Sequence, residues 1–204
     1  MPNASYEEVL APTLYYDKNF SIEAAKILPG EYYVTGREML LVTVLGSCVA
    51  ACIRDNVSGI GGMNHFMLPD SHEDMATVNG VSTRYGTYAM EILINQLLKQ
   101  GANKNRLEAK VFGGGNVLRG FTVSNVGLKN AEFVKAFLAL ERIPIVAQDL
   151  LDIHPRKVYF FPKTGRVLVK KLKSVHNNTI VEREKSYGSR LVHMQPGGDV
   201  ELFD

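Results

Sequence analysis

Thr43-Val44-Leu45-Gly46-Ser47-Cys48-Val49-Ala50-Ala51-Cys52 is two apolar runs joined by a Gly-Ser step. The first run reaches back to Met39 and the second on to Ile53. Both are short and rich in β-branched residues, which predicts strands on either side of the step. Gly46-Ser47-Cys48 lets the backbone turn tightly and leaves peptide N–H groups free beside a thiol, the arrangement an oxyanion hole requires. Upstream, Glu31-Tyr32-Tyr33-Val34-Thr35 is strand-like; downstream, the turn cluster Asp55-Asn56-Val57-Ser58-Gly59 leads into an extended run from Ile60 to Leu68, closed by Pro69-Asp70.

Met90, Leu93, Ile94, Leu97 and Leu98 share one helical face, predicting an amphipathic helix that starts near Ser82–Tyr85 and stops at Gly101. Leu107–Phe112 reads as a strand running into Gly113-Gly114-Gly115-Asn116. Phe133, Val134, Phe137, Leu138 and Leu140 mark a second helix, with Asn130 as its N-cap and Pro144 just past its end. Ile145–Val146 begins a strand, and Arg156–Phe161 and Arg166–Leu172 flank the hairpin signal Pro162-Lys163-Thr164-Gly165. The expected fold class is α/β (α+β): one domain of layered mixed β-sheets with two long helices. Residues 1–27 read as an N-terminal extension with aromatic anchors Tyr15, Tyr16 and Phe20, and 28–174 as the domain. Residues 175–204 read as an extended or disordered C-terminal tail, because periodicity is lost there.

A formal charge of +2 gives no electrostatic footprint for nucleic acid or an anionic membrane. Lys170, Lys171 and Lys173 read as the solvated edge of a strand. Apolar runs such as Met39–Leu45 are far shorter than the ~18 residues of a membrane span, and the opening Met1-Pro2-Asn3 does not read as a signal peptide. Cys48 and Cys52 in one strand would lie ~13 Å apart, too far for a disulfide. Free thiols then suggest a cytoplasmic protein, and the sequons at Asn3 and Asn177 are chance matches.

The candidate chemistry centres on Cys48 and His65. The midpoint between them falls in the Asp55–Gly59 cluster, so a hairpin folded there would make them direct cross-strand neighbours with Cβ atoms ~5 Å apart. A slip of one residue would put His65 on the opposite face. A lone cysteine in an apolar strand is more often a small buried hydrophobe than a nucleophile, and spacing alone leaves both readings open. Cys52, deeper in the run, fits the packing role. A metal centre is disfavoured, since His72, His154, His176 and His193 are scattered and no HExxH or paired CxxC occurs. The Gly113–Gly115 turn lacks a following Gly-Lys-Ser/Thr and breaks G-x-G-x-x-G at Leu118. It reads either as a structural loop or as a close backbone approach lining a pocket at Gly114, with Asn116 as a substrate contact. Ser47 could offer a hydroxyl to substrate, or simply form the turn.

Leu45-Gly46-Ser47-Cys48-Val49-Ala50 and Gly61-Gly62-Met63-Asn64-His65-Phe66-Met67-Leu68-Pro69 closely resemble the chemoreceptor glutamine deamidase family, CheD. The resemblance continues through Arg84-Tyr85-Gly86, Leu107–Gly115 and Asn125-Val126-Gly127 with Asn130, and covers roughly residues 28–172. It implies a layered α/β fold similar to that of bacterial deamidating toxins, and conversion of specific glutamines on methyl-accepting chemotaxis receptors to glutamate through a Cys-His thioester mechanism without a cofactor. Cys48 would be the nucleophile and His65 the base. The family's third catalytic member is a threonine on the strand before the cysteine; Thr43 occupies that strand, where as a β-former it equally serves as filler. The implied partners are the cytoplasmic helices of the receptors and, in related systems, a CheC phosphatase. A non-catalytic adaptor binding receptor helices or a CheC-type phosphatase is the alternative. A transglutaminase or protease would use the same thioester chemistry.

Overall fold

The second apolar run lacks polar alternation because both of its faces are covered. Val49, Ala51 and Ile53 pack into a cluster with Leu93, Leu97, Val134 and Leu138, while Cys48, Ala50 and Cys52 pack the other way against Leu41, Leu45, Val158 and Phe160. A strand buried on both sides reads as a continuous apolar run. It is the central layer of a helix–sheet–sheet sandwich.

The computed structural model describes residues 13–69, 81–116, 126–172 and 178–193. Its elements are β1 (Thr13–Asp17), β2 (Ile22–Lys26), β3 (Tyr32–Thr35), β4 (Leu40–Leu45), β5 (Val49–Asp55), β6 (Gly61–Asn64), α1 (Val81–Lys99), β7 (Leu107–Gly113), α2 (Val126–Leu140), β8 (Ile145–Leu150), β9 (Arg156–Phe161), β10 (Arg166–Lys171) and α3 (Asn178–His193). One sheet runs β3-β6-β5-β7-β8 and the other β1-β2-β4-β9-β10. Helices α1 and α2 cover the outer face of the first sheet, and the second covers its inner face. This is the expected single α/β domain of layered mixed sheets. Lysine-bearing β10 is an edge strand, as its sequence suggested. Because β4 and β5 belong to different sheets, the Gly46-Ser47-Cys48 step is where the chain crosses between them.

Four expectations change. The N-terminal extension includes β1 and β2: β2 pairs in parallel with β4, and Ala24 and Ala25 are fully buried. So short a strand carries no periodic signal of its own and is recruited by its neighbour. Phe20 does act as an anchor, packing on Tyr159 and Phe161, whereas Tyr16 is exposed. Asn130 lies inside α2, not at its N-cap. The tail, expected to be extended or disordered, is helical over Asn178–His193.

The fourth change is the hairpin register. Cys52 faces Met63, Ile53 faces Gly62, Arg54 faces Gly61, and the isolated bridge Val49–Phe66 continues the series. Ala50, not Cys48, therefore stands opposite His65, two residues from the expected pairing. The turn explains the shift: Asp55 ends its strand, its N–H bound to Ile60 O at 2.9 Å and its carboxylate accepting Val57 N and Ser58 N. The loop is thus Asn56–Gly59 rather than Asp55–Gly59. A two-residue shift preserves the face, so Cys48 and His65 remain on the same side as diagonal neighbours.

His72, His176, Leu118, residues 1–12 of the extension and residues 194–204 of the tail lie outside the described residues.

Candidate active site

Strand alternation puts Leu41, Thr43 and Leu45 of β4 on the face that meets the other sheet. Thr43 therefore points across the seam at His65. Its Oγ1 lies 2.8 Å from His65 Nδ1 and donates to Ile27 O at 2.7 Å. A hydroxyl has one proton, and Ile27 O takes it; Nδ1 must then be the donor to Thr43. The imidazole is held as the Nδ1–H tautomer with a lone pair on Nε2. Nε2 is buried and has no hydrogen-bond partner among the described residues. Cys48 Sγ, a ring nitrogen of His65 and a carboxylate oxygen of Glu184 all lie within 4.8 Å of one another.

The backbone at 46–48 is sorted by polarity. Gly114 N donates to Cys48 O at 2.8 Å, Gly115 N to Gly46 O at 2.8 Å, and Asn130 Nδ2 to Ser47 O at 2.9 Å. With all three carbonyls tied down, the three N–H groups turn towards the site and meet one carboxylate. Glu184 Oε1 accepts Gly46 N at 2.8 Å and Cys48 N at 3.2 Å; Oε2 accepts Ser47 N at 2.9 Å and Ser47 Oγ at 2.7 Å. The Gly113–Gly115 turn is specific to this task. Gly113 has φ +112, and a Cβ there would meet Cys48 O at 2.1 Å. Asn130 Oδ1 also accepts Leu68 N at 2.8 Å, linking the Cys48 segment to the one that follows His65.

Thr43, Ser47, Cys48 and His65 thus converge. Gly114 lies beneath Cys48 with its N–H committed to that carbonyl, while Asn116 is exposed, its N–H bound to Asp152 O. Cys52 is buried with its pKa raised by desolvation. Sequence reading missed Asn130 in its bridging role and Glu184 altogether. A usable signal existed for the latter: Ile180, Glu184, Tyr187 and Leu191 fall at helical spacing, with a glutamate on an apolar stripe.

Cys48, His65 and Glu184 have the chemistry of metal ligands. Each carboxylate oxygen already accepts two hydrogen bonds, however, which occupies its in-plane lone pairs. Burial raises the Cys48 thiol well above its usual range, and the Glu184 charge raises it further. Burial lowers His65 to about 4, against an opposing pull from Glu184. The resting pair is therefore a neutral thiol and a neutral imidazole. A cavity of about 230 Å³ reaches Thr43, His65 and Glu184, bordered by Lys26, Lys157 and Arg183.

The depressed His65 pKa has a stability consequence. Its contribution is complete above the ordinary value of 6.5; below that the unfolded imidazole takes a proton that the folded one refuses until about 4. Stability is expected to fall as pH drops through that window, with a shallower fall in His65→Gln. Urea midpoints for both proteins across the window measure this, and parallel pH profiles would contradict it.

The chain matches the family described as CheD chemotactic sensory transduction over residues 67–171. A protein of Thiobacillus denitrificans named "Probable chemoreceptor glutamine deamidase CheD" is 67% identical over 201 residues, covering 98% of this chain and 100% of the relative. A protein of the same name from Herminiimonas arsenicoxydans is 64% identical, covering 97% of each chain. Another, from Methylobacillus flagellatus, is 65% identical over 97% of this chain and 98% of the relative. Among described residues, no helix is long and apolar enough to cross a membrane. With a family match over half its length and relatives of this identity along nearly all of it, the chain belongs to the CheD family.

Proposed function

We propose that this protein hydrolyses the side-chain amide of glutamines on chemotaxis receptors to glutamate, with Cys48 as nucleophile and His65 as general base. The names of its relatives support the substrate. The observation that carries the chemistry is the convergence of a thiol, an imidazole whose lone pair is on Nε2, and three inward-turned N–H groups.

In this reading His65 Nε2 takes the thiol proton as Cys48 Sγ attacks the amide carbon. The N–H groups of Gly46, Ser47 and Cys48 hold the oxyanion, joined by the Ser47 hydroxyl. The imidazolium returns its proton to the departing ammonia. Water then enters, His65 removes its proton, and the thioester opens to glutamate and free thiol. The adjoining cavity gives that water room. Thr43 fixes the tautomer that makes Nε2 the base. Gly114 shapes the floor under Cys48, and Asn116 is the exposed group nearby that a substrate backbone or amide can reach. The receptor's cytoplasmic helices are the substrate, which places the protein in the cytoplasm.

Mass spectrometry of a receptor cytoplasmic fragment incubated with the protein tests this. Specific glutamines should gain ~1 Da as amide becomes acid, with equimolar ammonia released. Receptor glutamines left intact by the protein and by its activated variants below would overturn it. Thr43→Val should lower kcat about 10²-fold, the low end of what a positioned base supplies, whereas Thr43→Ser should retain most activity. Equal losses in the two would remove the tautomer role.

A further inference from the structure

Helix α3 lays one face on the site. Glu184, Tyr187 and Leu191 are buried while Glu182, Arg183, Ser186, Ser189 and Arg190 are exposed. The Tyr187 ring stands against Gly30, where a Cβ would come within 2.9 Å of it, and its hydroxyl is hydrogen-bonded to that of Tyr85. Gly188 allows close approach to Met67, since a Cβ there would sit 3.1 Å from Met67 Cε. Leu191 joins the cluster that holds Cys48 and Phe112. Glu184, 4% exposed, makes no ion pair among the described residues; its charge rests on the three N–H groups and Ser47 Oγ alone.

A glutamate side chain is what hydrolysis of a glutamine leaves behind. Here one is presented from a helix, its carboxylate on the donors that would hold the oxyanion, within 4.8 Å of the thiol sulfur. Resting on the deamidase reading above, we propose that the cleft over Cys48 is a docking surface for a helix presenting glutamine, and that α3 occupies it as an internal product mimic which the substrate helix must displace. The imprint of α3 defines the partner: a helix with glutamine on its buried face, an aromatic and a small residue one turn later, and an apolar residue a turn beyond. Two other roles for Glu184 fit less well. His65 Nδ1 is already held by Thr43, so the glutamate is not its orienting partner. A carboxylate beside the thiol also disfavours thiolate, which suits a resting state and not a catalytic one.

The decisive variant is Glu184→Gln, nearly isosteric, which turns the product mimic into a substrate in cis. Cys48 Sγ should bond to the new amide carbon, the C–N bond should break, and ammonia should leave with the proton from His65. Water should then cleave the thioester and restore glutamate. Intact-mass and fragment spectra should show position 184 gaining ~1 Da with time, and not in the Glu184→Gln, Cys48→Ala double variant. In parallel, Glu184→Ala should raise both iodoacetamide alkylation of Cys48 and receptor turnover about 10-fold or more, as the open site becomes the populated one. Absence of the mass gain at position 184, or of faster Cys48 alkylation in Glu184→Ala, overturns the product mimic. Receptor conversion by the wild type, with the amide at 184 intact and Glu184→Ala no faster, overturns the mimic and leaves the deamidase reading standing. Conversion at position 184 and faster alkylation, with receptor glutamines untouched by every variant, supports the mimic and overturns the receptor assignment.

Discussion

Cys48→Ala is expected to lower receptor glutamine hydrolysis at least ~10⁴-fold, because no other group can form the thioester. Cys52 cannot substitute. It is buried beyond the Gly46-Ser47 step with its thiol pushed up by desolvation, and the amine of its cross-strand neighbour Lys110 is bound to Gly165 O at 2.8 Å. The variant should fold, since loss of one sulfur from the inter-sheet cluster costs about 1 kcal/mol. It should also still bind receptor, because the donors at 46–48 are backbone and Ser47 is untouched. Time-resolved mass spectrometry of receptor peptides, alongside a binding measurement, separates the two effects. Conversion by Cys48→Ala at more than about 1% of the wild-type rate would sink the nucleophile assignment. Loss of binding together with activity would instead indicate a disturbed fold.

Gly113→Ala should be the most damaging small substitution in the frame around the site. The residue sits at φ +112, and the added Cβ would lie 2.1 Å from Cys48 O and 3.1 Å from Val49 Cα, both backbone. Neither the rigid β5–β7 pairing nor the Gly114 N–Cys48 O bond can yield cheaply. A loss of about 4 kcal/mol is expected from strain and overpacking together, which in a protein of this size lowers Tm by roughly 8–16 °C. Gly101→Ala separates the causes. It has φ +98 with open space around it, the nearest atom being Ile60 Cδ1 at 3.9 Å, so only the conformational cost of about 1–2 kcal/mol applies. Calorimetry on both variants checks the difference. Similar Tm losses would mean that the contact with Cys48 O does not matter, and with it the account of how the N–H groups are aimed.

The elements around the site were largely readable because their signals are local. The stripe Met90, Leu93, Ile94, Leu97, Leu98 defines α1, observed at Val81–Lys99, and Pro162–Gly165 marks the β9–β10 turn. Cys48 stood out because Gly46 and Ser47 flank it. Where local signals were weak, tertiary context decided. Asp55 could belong to strand or turn, and its own hydrogen bonds to Val57 and Ser58 settled the count, and with it the register. Asn130, a good N-cap by residue type, is instead buried in α2 because Ser47 O and Leu68 N need a partner there.

By itself, the sequence determined that Cys48 follows a tight step between two strands; that His65 returns to its side of the sheet depended on the register, which the Asp55 turn set. What only the tertiary structure decided are the partners on other elements. Thr43 meets His65 because two sheets stack, and no pattern along β4 records which residue lies across the seam. Glu184 reaches Cys48 N from 136 residues away, through a helix whose place is set by the cleft it fills. Hydrophobic periodicity records which face of an element is buried; it does not record against what, and the groups that tune this thiol are of the second kind.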